Sequence, residues 1–221
     1  MTTLGQLSLY EEIMLLALSN RKGTVGVTFL EQGVAGAILA ELLLAGRIAL
    51  DSKKNKFVEL RDRTSTGDPI VDEGLARIAS AKRRAALQTW VMRLAGIKKL
   101  RHKAARQLCR RGILRADENK IAFIFTRKVY PEIDPRPERE MVERMRAAVL
   151  SDRVDPRTVT LIALADGLGV LGATIGKREA KDHKKRIKQI IQGDPTGKAT
   201  KDAIEACRTA AMVTVMAGST G

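Results

Sequence analysis

GVAGAILAELLLAGRIAL, residues 33–50, decides how this chain folds. Between Val34 and Ala45 only Glu41 is polar, so a helix here is apolar almost all round. Such a helix is either buried on every side or crosses a membrane. The run is short for a span, which needs about 20 apolar residues, and it carries Glu41 and Arg47. It is therefore expected to be a buried central helix with other helices packed around it. Thr28 and Glu31 have capping-box spacing at its start, and Gly46 can take the left-handed conformation that ends it. RIAL-DSKKNK-FVEL, residues 47–60, then reads as a short β-hairpin around a polar turn.

Outward from that helix the same signals recur. Ser8 and Glu11 form a second capping-box candidate before LYEEIMLLALS, a helix that Asn20 could close. Asp68-Pro69 supplies an N-cap followed by proline at the first helical position, opening a helix to about Ser80. Leu87, Trp90, Val91 and Leu94 keep a 3.6-residue stripe on the next helix, which Gly96 interrupts. IKKLRHKAARQLCRR, residues 97–111, is a strongly basic helix with Ile97, Leu100, Ala104 and Leu108 facing inward and Gly112 as its stop. ILRADENKIAFIF, residues 113–125, reads as strand, turn and strand, so the order helix, glycine, hairpin occurs around both Gly46 and Gly112. Helices are expected over Glu138–Leu150, Pro156–Ala165, Arg178–Gln192 and about Thr200–Met216, with Gly193 closing the third. The expected fold is mainly α: one globular domain over residues 1–221, amphipathic helices around a buried central helix, and two small β-hairpins.

Composition narrows the chemistry. The chain has 221 residues, 44% of them hydrophobic but only 3% aromatic, so its core is aliphatic. Cys109 and Cys207 lack metal-ligand spacing and read as buried thiols of a reducing compartment. No stretch reads as a signal peptide or membrane span, which makes a cytosolic or cytosol-facing protein the expectation.

The net charge of +15 is localised. Residues 1–80 hold 9 basic and 10 acidic side chains, 81–130 hold 15 and 2, and 131–221 hold 16 and 13. One fifty-residue block thus carries nearly the whole excess, as expected for contact with a polyanion: lipid head groups, an anionic membrane surface or a nucleic acid. Within it, Lys99, Lys103, Arg106 and Arg110 recur on one helical face. Lys98 and Arg101, three apart beside the apolar edge, could converge on one phosphate.

Other motifs carry less. GLGVLG at Gly167–Gly172 has dinucleotide-loop spacing but no strand before it or parallel sheet to complete, so small residues at a helix contact explain it better. GDPTGKA at Gly193–Ala199 is one residue short of a P-loop and lacks the hydroxyl after its lysine. His102 and His183 lie in basic helices without triad or metal spacing. No catalytic residue, metal site or cofactor is expected.

Four stretches in order, LSLYEEIMLLALSNRKG, GVAGAILAELLLAGRIAL, TSTGDPIVDEGL and RQLCRRGIL, resemble the Golgi phosphoprotein 3 family from about Leu7 onward. The resemblance implies a largely helical domain with a protruding hairpin. It also implies binding of phosphatidylinositol 4-phosphate on the cytosolic Golgi face, and adaptor work on glycosyltransferase tails for coat vesicles. The family's lipid pocket uses a tryptophan, an arginine and two basic residues three apart. By resemblance the basic pair falls on Lys98 and Arg101 and the arginine on Ala35, while the tryptophan falls in Val25–Thr28, which holds no aromatic residue.

The expected function is thus a non-enzymatic, peripheral membrane protein that binds anionic lipid, phosphatidylinositol 4-phosphate among them, through residues 81–130. The alternative is a nucleic-acid-binding protein using the same helix and hairpin. Against that stands the shortage of base-reading side chains in the block, with Gln88 and Gln107 its only amides before the hairpin. A third expectation concerns the hairpin Ile113–Phe125, whose second strand is apolar on both faces and should meet another subunit or a membrane.

Overall fold

The computed structural model describes residues 5–18, 28, 30–51, 56–121, 125–151, 154–192 and 198–218. In chain order they form α1 (Leu9–Ala17), α2 (Leu30–Leu44), β1 (Ile48–Leu50), β2 (Val58–Leu60), α3 (Pro69–Ala79), α4 (Leu87–Ala95) and α5 (Leu100–Arg110). There follow β3 (Asp117–Ile121), β4 (Phe125–Val129), α6 (Arg136–Leu150), α7 (Pro156–Gly167), α8 (Leu171–Ile175), α9 (Lys177–Asp182), α10 (Lys184–Gln192) and α11 (Lys198–Gly218). The fold is mainly α, with two two-stranded antiparallel sheets.

α2 is the centre. Val34, Ala35, Ala37, Ile38, Leu39 and Ala40 are all fully buried, and α1, α3, α4, α5, α7 and α11 pack against it. Its small residues set how near the neighbours come. A Cβ on Gly36 would lie 2.6 Å from the Ala210 Cβ of α11, and one on Gly74 of α3 would lie 2.7 Å from Ile38 Cγ2. Both contacts need a bare backbone.

Glu41, the single acid in the apolar run of α2, is satisfied on every side that matters. Arg157 of α7 forks onto it, Nη2 at 2.7 Å from Oε1 and Nη1 at 3.0 Å from Oε2. The Leu9 backbone N–H donates to the same Oε1 at 2.5 Å. On α1, Glu12 accepts from Arg144 Nη2 at 2.5 Å and Glu11 from Arg111 Nη1 at 2.6 Å. Burial pushes both of these carboxyls above the ordinary carboxylate range, against the pull of their arginines. These ionic contacts join α1 to α2, α5, α6 and α7.

The caps behave as their residue types require. The Ser8–Glu11 capping box forms, Ser8 N–H donating to Glu11 Oε2 at 2.9 Å, and the Ser8 hydroxyl donates on to Asp68 Oδ2 at 2.7 Å. Asp68 Oδ1 accepts from Ile70 N at 2.9 Å, and Asp155 accepts from Thr158 N at 2.9 Å. Phe29, directly before α2, lies outside the described residues, together with Asn20, Gly193 and the turn 52–55. Cys207 is buried and Cys109 half-buried, both as free thiols.

Three boundaries differ from the sequence reading. α5 begins at Leu100, not Ile97; Ile97 is drawn into the core, and Lys99 sits in the left-handed region at φ 59 as the N-cap. The second hairpin is shifted. Gly112 turns the chain at φ 72, Ile113 and Leu114 follow α5 into the core, Leu114 makes one isolated antiparallel bridge to Glu132, and the continuous ladder starts at Asp117, opposite Val129. The polar run DENK is therefore strand, because a ribbon standing off the core needs backbone partners rather than an apolar face. Residues 122–124, and the side chains of Ile121 and Phe125, lie outside the description. Lastly, the helix expected over Arg178–Gln192 is two, α9 and α10, divided at His183.

Candidate anion-binding site

α5 owes its position to one apolar edge. Leu100, Ala104, Ala105 and Leu108 are buried against α1 and α2, which turns the basic side of the helix outward. Beside that side stands β4. Lys98 and Lys99 from the preceding turn, His102, Lys103 and Arg106 from α5, and Lys128 from β4 together line a recess of about 440 Å³. Tyr130, itself buried, holds the His102 ring from behind that lining, its hydroxyl 2.9 Å from His102 Nδ1.

Two of the nearby cations are already neutralised. Lys103 Nζ lies 2.5 Å from Glu73 Oε2 of α3, and Arg101 Nε lies 3.5 Å from Glu31 Oε1 of α2. By contrast, Lys98, Lys99, Arg106 and Lys128 make no ion pair among the described residues. The first turn of α5 holds no acid, and its N-cap side chain accepts no hydrogen bond. The positive end of the helix dipole thus faces a cluster of positive side chains, an arrangement that an anion relieves. Burial, followed by Arg101, Lys128 and Lys99, holds the His102 imidazolium below the ordinary histidine range, with Glu31 opposing. Its cationic form is disfavoured when the recess is empty.

The two residues singled out in the sequence are divided. Lys98 lines the recess, and Arg101 flanks it on the α2 side against Glu31. Because Lys98 precedes the helix, the pair does not share a helical face. Lys128 escaped the sequence reading, since nothing in a linear pattern brings a residue of the hairpin into one recess with Lys98. Ala35, where the family's arginine falls, is a buried core position, and of Val25–Thr28 only Thr28 is described. Much of the remaining basic block serves structure: Arg111 pairs with Glu11, Arg84 with Glu59 at 3.0 Å, Arg115 with Asp117 at 3.4 Å, and Arg93 stacks on Trp90 at 4.9 Å.

A second recess, of about 400 Å³, has the opposite character. Leu15, Leu16, Leu18 and Leu114 wall it, and Glu132 and Glu138 are its charged groups. Burial and the neighbouring Glu138 push the Glu132 carboxyl up to about 7. Because that value lies above its unfolded one, the folded protein holds a proton that the unfolded chain releases. The group therefore costs stability as the pH rises through this window, most of all above 7. Glu132→Gln should raise the melting temperature at about pH 8 and change it little at about pH 5, measured by circular dichroism.

Among the described residues no three His, Cys, Asp or Glu side chains stand together to hold a metal ion, and no helix is long and apolar enough to cross a membrane. Fold and recess together make this a mainly α-helical protein built on a buried helix, with an uncompensated cationic recess on its surface. The chain belongs to the Golgi phosphoprotein 3 family: the family model described as Golgi phosphoprotein 3 (GPP34) matches residues 9–207, from α1 into α11.

Proposed function

We propose that this protein is a non-enzymatic, peripheral membrane protein, acting as one domain, that binds anionic lipid head groups, phosphatidylinositol 4-phosphate among them. The observation that carries the reading is the set of four cations, Lys98, Lys99, Arg106 and Lys128, around one recess without acidic partners among the described residues. Such a cluster stores repulsion that a phosphate removes, and charge-assisted contacts to phosphate are among the stronger polar interactions. Lys98 is the central ligand of this site. Arg101 is a rim contact that exchanges Glu31 for lipid phosphate. Family membership supports the reading, since Golgi phosphoprotein 3 names a protein of a membrane compartment. In this reading the protein sits on the cytosolic face of such a membrane.

A concave site closed on one side by β4 suits a compact phosphate better than a duplex, which needs a protruding helix for the major groove. That favours lipid over nucleic acid. The hairpin Ile113–Phe125, whose strands pair over Asp117–Val129, serves in this reading as a contact with the membrane or a second copy.

Sedimentation with vesicles tests the proposal. Binding is expected to anionic vesicles and not to neutral phosphatidylcholine, and it should weaken as salt shortens the Debye length from about 10 Å at 0.1 M. Equal binding to neutral and anionic vesicles would overturn it, as would a gel shift with DNA at the same salt that outcompetes the vesicles.

A further inference from the structure

Of the six side chains lining the recess, His102 alone belongs to a type whose charge ordinarily changes near neutral pH. We infer that an anion entering this recess is taken up together with a proton on His102, so that the site binds more tightly as pH falls from about 7.5 to about 5.5. The inference rests on the reading of the recess as an anion site.

The geometry supplies the coupling. Facing His102 are Lys98, Lys99, Arg101, Lys103 and Arg106 from α5 and its leading turn, Lys128 from β4, and Glu31 from α2. Its Nδ1 is engaged by the Tyr130 hydroxyl at 2.9 Å. In the empty recess partial burial and the surrounding cations oppose a further positive charge on the imidazole. An anion placed among those cations reverses the balance. The imidazolium then donates from Nδ1 to the Tyr130 oxygen, which a hydroxyl can accept by turning its own hydrogen away. The other ring N–H, already a donor, then carries part of the imidazolium charge toward the anion. The proton comes from solvent, and no other bond changes.

Linkage fixes the sign. The bound form holds the proton more tightly than the free form, so binding and protonation strengthen each other reciprocally. Affinity is flat above the bound-state titration, rises as the pH falls through it, and levels off below the free-state titration. The limit is a factor of about ten for each unit separating the two.

The shared chemistry is a phosphate- or sulfate-like oxyanion, and the experiment separates the lipid source from the free one. The first arm is sedimentation with phosphatidylcholine vesicles containing phosphatidylglycerol, whose phosphodiester keeps one charge throughout this range. Wild type is expected to bind about threefold to tenfold more tightly at pH 5.5 than at pH 7.5. His102→Gln should lose that rise. His183→Gln and Glu132→Gln, both outside the recess lining, should keep it and serve as controls. The second arm follows the His102 ring by NMR with and without inorganic sulfate, which should move its titration upward. Vesicle binding with the same pH slope in His102→Gln, and no movement with sulfate, overturns the inference and leaves the lipid reading standing. Movement with sulfate but no vesicle binding at any pH does the reverse: the recess takes a free oxyanion and the lipid reading fails.

Discussion

Replacing Lys98 and Lys128 with alanine is expected to weaken binding to anionic vesicles at least about tenfold more than replacing Arg101 and Lys103 does. Each double variant removes two positive charges, so each loses a similar long-range attraction, roughly 1 kcal/mol per basic residue at an anionic surface. The difference lies in what the cations do beforehand. Arg101 and Lys103 already have Glu31 and Glu73 as counterions, and a lipid phosphate must displace those. Lys98 and Lys128 both line the recess, with no acid to displace among the described residues. A direct charge-assisted contact adds about 1.5–3 kcal/mol, and it is available in full only to the unpaired set. All four side chains lie outside the hydrophobic core, so both variants should fold, as circular dichroism will check. The measurement is sedimentation of wild type and both variants at one salt concentration. Equal losses would mean that the block acts as a diffuse patch and that the recess has no special role.

The largest expected effect on stability belongs to Arg157. It is mostly buried, forks onto Glu41 of the central helix and lies 3.9 Å from Glu12. Replacing it with methionine keeps much of the volume but leaves Glu41 buried without its cation. Stranding one member of a buried pair costs about 3–5 kcal/mol. Urea unfolding of Arg157→Met should show that loss as a lower midpoint at an unchanged slope. The companion Arg157→Met with Glu41→Leu should recover most of it, because removing both charges also removes the burial cost of each. A single variant within about 1 kcal/mol of wild type would show that Glu41 finds another partner or protonates. In that event α2 does not depend on α7 for its charge balance.

Both predictions depend on features of very different legibility. The central helix was readable because thirteen or so consecutive residues with almost no polar face have only one soluble solution, burial on all sides. The proline and aspartate caps at Pro69 and Pro156 were readable because they act within a few residues of chain. Boundaries failed where a long-range pull competed with local pattern. Ile97 and Ile113 continue apolar runs that look like helix and strand, yet each leaves its element because the core has room for it. The hairpin moved for the same reason. Once Ile113 and Leu114 are spent in the core, only DENKI remains to pair with FTRKV.

The sequence by itself determined the class of fold, the buried α2, the glycine turns at Gly46 and Gly112, and the concentration of charge in residues 81–130. Those follow from periodicity, backbone sterics and composition, all of which act locally. Which cations stay free was decided only by the tertiary structure. Charge pairing is a matter of distance through space, and four of the acids that neutralise the block come from the first eighty residues: Glu11, Glu31, Glu59 and Glu73 take Arg111, Arg101, Arg84 and Lys103. Among those they leave over, Lys98, Lys99 and Arg106 gain Lys128 from a strand beyond α5, and so the recess exists only once the chain has folded back on itself.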